Sequence, residues 1–275
     1  MKNRKILLQL ALSVGILTSI SAQTKSPVSL AIELKNAHIW RGIDVTHNFL
    51  IDGNVRLSDK TNTFAVGLWG ATTFTKDFRE FNYYAGFYKG GFSLEIWDVF
   101  NFSEKNQYGV TNPGGYNTEK AFDYSAHGTG HFVDLRLGYT FPETFPLHLG
   151  WSTVLFGRDR AWLPGNNPDD YKDRRYSSSR YSTYLEVSYP ILKSSIADLK
   201  VGIGSAFKFR QAKIDGQAIK GNFYGKSDGI VTCTLAASRN FRFSDDYSLP
   251  VTLSWVWNPQ TSKTYLEIAL QVIQF

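Results

Sequence analysis

The segment Thr264-Tyr265-Leu266-Glu267-Ile268-Ala269-Leu270-Gln271-Val272-Ile273-Gln274-Phe275 alternates apolar and polar side chains and closes on an aromatic residue. Successive side chains of a strand point to opposite faces, so Leu266, Ile268, Leu270 and Val272 fall on one side and Glu267, Ala269 and Gln271 on the other. One greasy face and one wet face suit a strand lying between lipid and a polar interior. Phe275 shares the parity of Glu267 and Gln271, an irregularity that predicts a β-bulge near Val272. Such a strand needs neighbours, because an open sheet edge in hydrocarbon leaves backbone groups unpaired at several kcal/mol each.

The neighbours are legible. Period-two segments recur at 28–39, 49–57, 63–74, 80–88, 92–102, 131–141, 147–157, 181–189, 199–209, 230–238, 249–258 and 264–275. They predict an all-β fold: a single closed antiparallel transmembrane barrel of about twelve strands. The connections alternate in character. Those after the even-numbered strands are short, whereas 104–130, 158–180 and 210–229 are long, polar and rich in Gly, Asn, Asp and Ser. With both ends of the barrel chain in the periplasm, every long loop falls on the extracellular side. A soluble sandwich or lipocalin-like barrel also alternates, but turns its apolar face inward. The large polar groups on the second faces, and the one-sided distribution of long loops, argue against it.

The first residues, Met1-Lys2-Asn3-Arg4-Lys5, lead into an apolar run from Ile6 to Ile20 and then Ser21-Ala22-Gln23. This pattern predicts a secretory signal peptide over 1–22 and a barrel domain over 23–275. Removing the leader lowers the formal charge from +6 to about +3, too mild an excess for a nucleic-acid partner. A mean hydropathy of −0.24, with no second apolar run long enough to span a bilayer, excludes a helical membrane protein. Aromatic residues at 15% fit interfacial belts, for which Trp40, Trp97, Phe100, Phe102, Trp151, Trp255 and Trp257 stand at or near strand ends. Cys233 is the only cysteine, so no internal disulfide and no cysteine-rich zinc site is expected.

If the apolar set faces lipid, the complementary set lines the lumen. It includes Glu33, Lys35, Arg41, Asp52, Arg56, Glu95, Trp97, Asp134, Arg136, Tyr184, Glu186, Lys200 and Glu267, with Asn54, Trp69, Tyr84, Lys208 and Gln271. Acids and bases are balanced, which favours mutual pairing across a narrow interior. The small residues Ala31, Ala65, Gly67, Gly86, Gly138, Gly150, Gly202 and Gly204 on the same face would leave space. A barrel of this size lies between those filled by side chains and those with an aqueous channel, so a passage and a filled scaffold both remain open.

The segments Ala37-His38-Ile39-Trp40-Arg41-Gly42-Ile43, Phe49-Leu50-Ile51-Asp52-Gly53 and Glu80-Phe81-Asn82-Tyr83-Tyr84-Ala85-Gly86-Phe87 resemble a family of bacterial outer-membrane barrels, the Gcw-type conserved hypothetical proteins. The resemblance covers mainly the first hundred residues and implies an outer-membrane barrel with no settled substrate. Phe87 stands where that family commonly has Tyr. The carboxy-terminal strand resembles the assembly signal of outer-membrane barrels, which implies the barrel-assembly machinery as a partner through Phe275. Arg41, on the lumenal alternation beside Gly42, is expected at the extracellular rim, where its guanidinium pins the first loop to the wall.

Catalytic patterns are sparse. Ser125-Ala126-His127-Gly128-Thr129-Gly130-His131 is the one suggestive cluster for a lipid hydrolase, but it lies in a Gly-rich loop and lacks the usual Ser and His arrangement. The run 166–173 carries oxygen ligands without the spacing of a calcium loop, and Gly202-Ile203-Gly204 lacks the third glycine of a nucleotide fingerprint. No cofactor and no metal is expected. Arg158, Arg160, Arg174, Arg175 and Arg180 are placed to meet lipopolysaccharide phosphates. The expected function is a narrow passive channel for small hydrophilic solutes, with 104–130 folding over its mouth. The alternatives are a non-conducting surface or structural barrel acting through its loops and, less favoured, a lipid hydrolase.

Overall fold

Residues 26–103, 116–117, 119–125, 127–167, 171–245 and 247–275 are described by the computed structural model. The leader expected over 1–22 lies outside them, as does 104–115. The wall consists of β1 (Val28–Lys35), β2 (Leu50–Ser58), β3 (Phe64–Thr73), β4 (Arg79–Lys89), β5 (Phe92–Asn101), β6 (His131–Thr140), β7 (His148–Gly157), β8 (Ser182–Leu192), β9 (Asp198–Lys208), β10 (Gly229–Arg242), β11 (Ser248–Asn258) and β12 (Lys263–Gln274). Each pairs antiparallel with its sequence neighbours, and β1 pairs with β12, which closes the barrel. Phe275 extends that seam by exchanging backbone hydrogen bonds with Leu30. The register shifts opposite Ile32 and Glu33, between Gln271 and Ile273, so the bulge expected near Val272 is there.

The register puts the apolar alternation outside. Val55, Leu57, Val66, Leu68, Leu94, Ile96, Trp151, Leu185, Val187, Ile203, Trp255 and Leu266 are all exposed on the outer wall. A continuous apolar exterior of this extent is a lipid-facing belt, since water-facing monomers rarely expose such area. Among the described residues no helix is long and apolar enough to cross a membrane. Leu68, 47% exposed in the middle of β3, is a direct probe of this arrangement. Leu68→Arg should destabilise the folded barrel by about 2–4 kcal/mol, the range for a cation at the bilayer midplane, read as a lower urea midpoint in lipid vesicles. A soluble barrel would tolerate it.

Two expected placements are corrected. The first strand leaves the wall at Lys35 instead of running to 39. Asn36 ends the ladder: its side-chain amide donates to the Leu266 carbonyl (3.0 Å) and accepts from the Ile268 amide (2.7 Å), standing in for the next strand residue. The second correction concerns the aromatic belt. Trp151, Trp255 and Trp257 do face outward, but Trp97 faces the lumen and stacks on Tyr84 at 4.1 Å, Trp40 lies inside the barrel, and Phe100 is buried against His131.

The lumenal glycines have a different use from the one expected. A Cβ at Gly67 would overlap the Tyr84 ring, one at Gly86 the Tyr88 ring, and one at Gly204 the Tyr184 hydroxyl. At these positions the missing side chain makes room for a tyrosine lying along the inner wall, so the space is filled.

Candidate functional site

The chain between β1 and β2 forms a hairpin inside the barrel, His38–Trp40 pairing with Ile43–Thr46. Its turn is Arg41-Gly42, with φ of 50° and 80°. Positive φ at both central residues is the twist that suits a two-residue hairpin, and Gly42 takes it without strain. An isolated hairpin is marginal in water, so docking must supply its stability. Ala37, Ile43 and Val45 are buried, and Trp40 packs on Phe132, Phe223 and Tyr224 at ring distances of 5.8, 6.1 and 5.5 Å. His38 lies 5.7 Å from the Trp69 ring and 5.8 Å from Phe78. Polar clasps finish the docking. The Ile39 amide donates to Glu267 on β12 (2.9 Å), and Asn258 on β11 donates to the Gly42 carbonyl (2.9 Å).

Arg41 is therefore not on the wall at the rim. It sits at the hairpin tip within the lumen, donating to Asp134 on β6 (2.9 Å), to Ser152 on β7 (2.7 Å) and to the Tyr224 hydroxyl (2.7 Å). Its guanidinium also lies over the rings of Trp40, Tyr184 and Tyr224. Tyr224 comes from the loop between β9 and β10, which also turns inward. Asn222 shapes that turn by accepting from the Tyr224 and Gly225 amides (both 2.9 Å), and Phe223 donates its amide to Ser182 (2.8 Å). Two loops thus meet at the centre of the barrel, joined by an aromatic cluster and one cation.

Of the other residues expected in the lumen, Lys35 pairs with Glu33 (2.7 Å) and Asp52 (2.9 Å), and Arg136 pairs with Asp134 (2.7 Å). Glu95 accepts from Tyr88 (2.8 Å) and from the Trp97 indole (2.6 Å), while Arg56 lies over Tyr88 and Arg136 over Trp97. Tyr184, Glu186, Lys200 and Glu267 border a cavity of about 230 Å³ on the β8–β12 side of the hairpin. A second cavity of about 170 Å³ lies on the other side, between the hairpin and β3–β6, lined by Lys35, Trp40, Trp69, Trp97 and Arg136 among others. The hairpin divides the lumen between them.

Phe223 and Tyr224 were not singled out from the sequence. The available signal was apolar and aromatic residues flanking a glycine within otherwise polar connections, at Ile39 to Val45 and again at Asn222-Phe223-Tyr224-Gly225. Gly42 is the tightest point of the docking, because a Cβ there would overlap the Val231 carbonyl oxygen and the Thr232 hydroxyl. Gly42→Val should release the hairpin. In the refolded protein, trypsin should then cut after Arg41, a bond protected in the wild type where the Arg41 side chain is 10% exposed.

The cluster around His131 lies on the outer wall. His131 Nδ1 is 2.7 Å from Asp98 and Nε2 is 2.9 Å from the Ala121 carbonyl oxygen, while Tyr124 donates to Asp98 (2.6 Å) and Tyr83 does likewise. Burial and the Asp98 carboxylate push the Tyr124 hydroxyl well above its ordinary range. Ala121 and Tyr124 thus hold the loop against the outer face of β4–β6, while Tyr116 donates to the Arg158 carbonyl (2.9 Å) and Tyr116 and His127 pack on Tyr176 of the 158–180 loop. Ser125 donates to the His127 carbonyl (2.8 Å), and both ring nitrogens of His131 face acceptors, so among the described residues the Ser125 hydroxyl is not bonded to either histidine ring. The expected arginine patch is also dispersed. Arg158 and Arg180 are buried, Arg180 against Asp159 (3.0 Å), Arg174 lies over Trp162, and Arg175 pairs with Asp215. Burial pushes the Asp159 carboxyl up, with Arg180 and the Ser182 hydrogen bonds opposing.

No protein family and no curated protein matches the chain. Among solved structures it is similar to a KdgM porin, at 10% identity over 90% of this chain and 98% of that one with a TM-score of 0.38. It is also similar to an outer membrane channel from Pseudomonas putida F1, at 14% identity over 94% and 98% with a TM-score of 0.41. A third is a protein from work on in-meso crystallization of membrane proteins, at 9% identity over 90% and 83% with a TM-score of 0.44.

Proposed function

We propose that this chain is a bacterial outer-membrane β-barrel in which an inward hairpin closes a polar passage for small hydrophilic solutes. The observation that carries this reading is the hairpin at 38–46, which separates two lumenal cavities and is held by docking contacts, with no strand of the wall depending on its two short strands. A wall that closes without the hairpin can keep its pairing while the hairpin moves. Charged and hydroxyl side chains on the inner face, against an apolar belt outside, suit a watery path through lipid. The protein then acts by gating and selection, with no covalent chemistry, and its long loops face the cell exterior where lipopolysaccharide is the neighbouring lipid. Phe275, at the seam, is the contact for the assembly machinery. The narrower kinship with the Gcw-type barrels rests on the segments 37–43, 49–53 and 80–87, the first of which includes the turn of the closing hairpin. Conductance of the refolded protein with and without the hairpin tests the reading.

A second reading is favoured by a separate observation. The Arg41 bridge from the hairpin to Asp134, with the Lys35–Asp52 pair stitching β1 to β2, braces the interior as it would in a permanently closed scaffold. Silence of the hairpin-deleted barrel would select that reading.

A further inference from the structure

Most charged groups inside this barrel already have a partner: Glu267 accepts from the Ile39 amide (2.9 Å), Glu95 from Tyr88 and Trp97, and Arg56 lies over Tyr88. Glu33, Lys35, Asp52, Arg41, Asp134 and Arg136 are engaged with one another. Glu186 on β8 and Lys200 on β9 border the same cavity, yet among the described residues neither stands in an ion pair. Between them Ser188 presents a hydroxyl oxygen that is buried and has no hydrogen-bond partner among the described residues, in a residue only 3% exposed. A buried hydroxyl without a partner costs free energy unless something fills its valence. Thr234 and Ser254 add two more hydroxyls to the lining. Gly202 lets the Thr234 hydroxyl approach the β9 backbone, since a Cβ there would come within 2.6 Å of it.

We infer that this cavity binds a small zwitterion of the α-amino-acid class, its carboxylate on Lys200 and its ammonium on Glu186, with Ser188 bonding between. Volume sets the size: about 230 Å³ is the share of roughly seven or eight waters, below the range of drug-sized pockets. Charge sets the class. A simple anion would satisfy Lys200 and face the Glu186 carboxylate, and a simple cation would do the reverse, whereas a zwitterion completes both with charge-assisted hydrogen bonds. Position sets the direction. Lys200 lies two residues from the start of β9 at the short-turn end and is exposed, while Glu186 is deeper and half-buried, so the ligand enters ammonium first from that end. The hairpin tip, through Ile39, Arg41 and Gly42, borders the site from above.

This names the solute class for the passage proposed above and rests on that reading for its role, but binding itself does not require conduction. The test is calorimetric titration of the refolded full-length protein in detergent micelles with L-alanine, propionate, propylamine and glycerol. L-Alanine should bind, and propionate and propylamine should each bind at least about tenfold more weakly, as loss of one charge-assisted contact implies. Glu186→Gln and Lys200→Met should each weaken L-alanine by a similar factor while the heat-modifiable gel shift of the folded barrel stays unchanged. If Glu186→Gln fails to fold, Ser188→Ala serves as the second variant and should weaken L-alanine without altering the preference over propionate. Absence of L-alanine binding, equal binding of propionate or propylamine, or preferential binding of glycerol would overturn the inference. A silent titration with a conducting hairpin-deleted barrel removes the zwitterion site and leaves the channel, and binding with electrical silence does the opposite.

Discussion

Replacing residues 37–47 with a short glycine-serine link should raise the conductance of the refolded barrel in planar bilayers and produce sustained open steps. The replaced segment contains the short strands His38–Trp40 and Ile43–Thr46, whose ring contacts with Phe132 and Phe223 and whose Arg41 bridge to Asp134 fill the centre of the lumen. The wall loses no strand, because β1 stays paired to both β2 and β12. A twelve-stranded ring lies between the filled eight-stranded and the aqueous sixteen-stranded cases, so the vacated volume should carry ions at a conductance on the order of tenfold or more above the closed protein. Tyr224 and Phe223 still project inward after the replacement. Adding Tyr224→Ala should therefore enlarge the steps further. Should the hairpin-deleted barrel fold, by gel shift and circular dichroism, yet pass no current, the passage reading is wrong and the braced scaffold stands.

The second large effect is expected at Asp134. Its carboxylate is fully buried and holds two guanidinium groups, Arg41 of the hairpin and Arg136 of its own strand. Removing one partner of a buried pair leaves an uncompensated charge at about 3–5 kcal/mol, and Asp134→Ala strands two cations at once. The variant should unfold at clearly lower urea concentration, and what folds should show brief openings as the hairpin loses its anchor. The double change Arg41→Met with Asp134→Leu removes the hairpin pair and leaves only Arg136, whose side chain is 24% exposed and lies over Trp97, so it should recover part of the stability lost in Asp134→Ala, since apolar replacement of a buried pair is often close to neutral. Equal loss in the single and double variants would show that the pair is not what holds the hairpin.

The wall is legible in the sequence to within a few residues at most strand ends; the exceptions are 230–238, which continues to Arg242, and 28–39, which ends at Lys35. Strand 28–39 was read too long because His38, Ile39 and Trp40 are themselves in a strand conformation, only not in the wall. Arg41 lies at a hairpin turn and not in the wall strand expected, since Trp40-Arg41-Gly42-Ile43 reads equally as a strand leaving the membrane and as a tight turn. The lumenal glycines suggested space, because nothing local reveals that Tyr84, Tyr88 and Tyr184 lie over them. His131 was read with its loop neighbours Ser125 and His127, when its partner is Asp98 on the strand before.

Period-two alternation, turn chemistry and loop parity are local properties. From them alone follow the number of strands, which face meets lipid, which end carries the long loops and the bulge beside Val272. Tertiary structure decided where the chain goes when it leaves the wall. Arg41 finds Asp134 across a separation of 93 residues and Tyr224 across 183, and such partners exist only after the ring has closed and brought opposite strands to face one another. A closed interior offers few places to bury Trp40 or pair a guanidinium away from bulk water. That scarcity draws the hairpin inward, and it is a property of the assembled cylinder that no single strand carries.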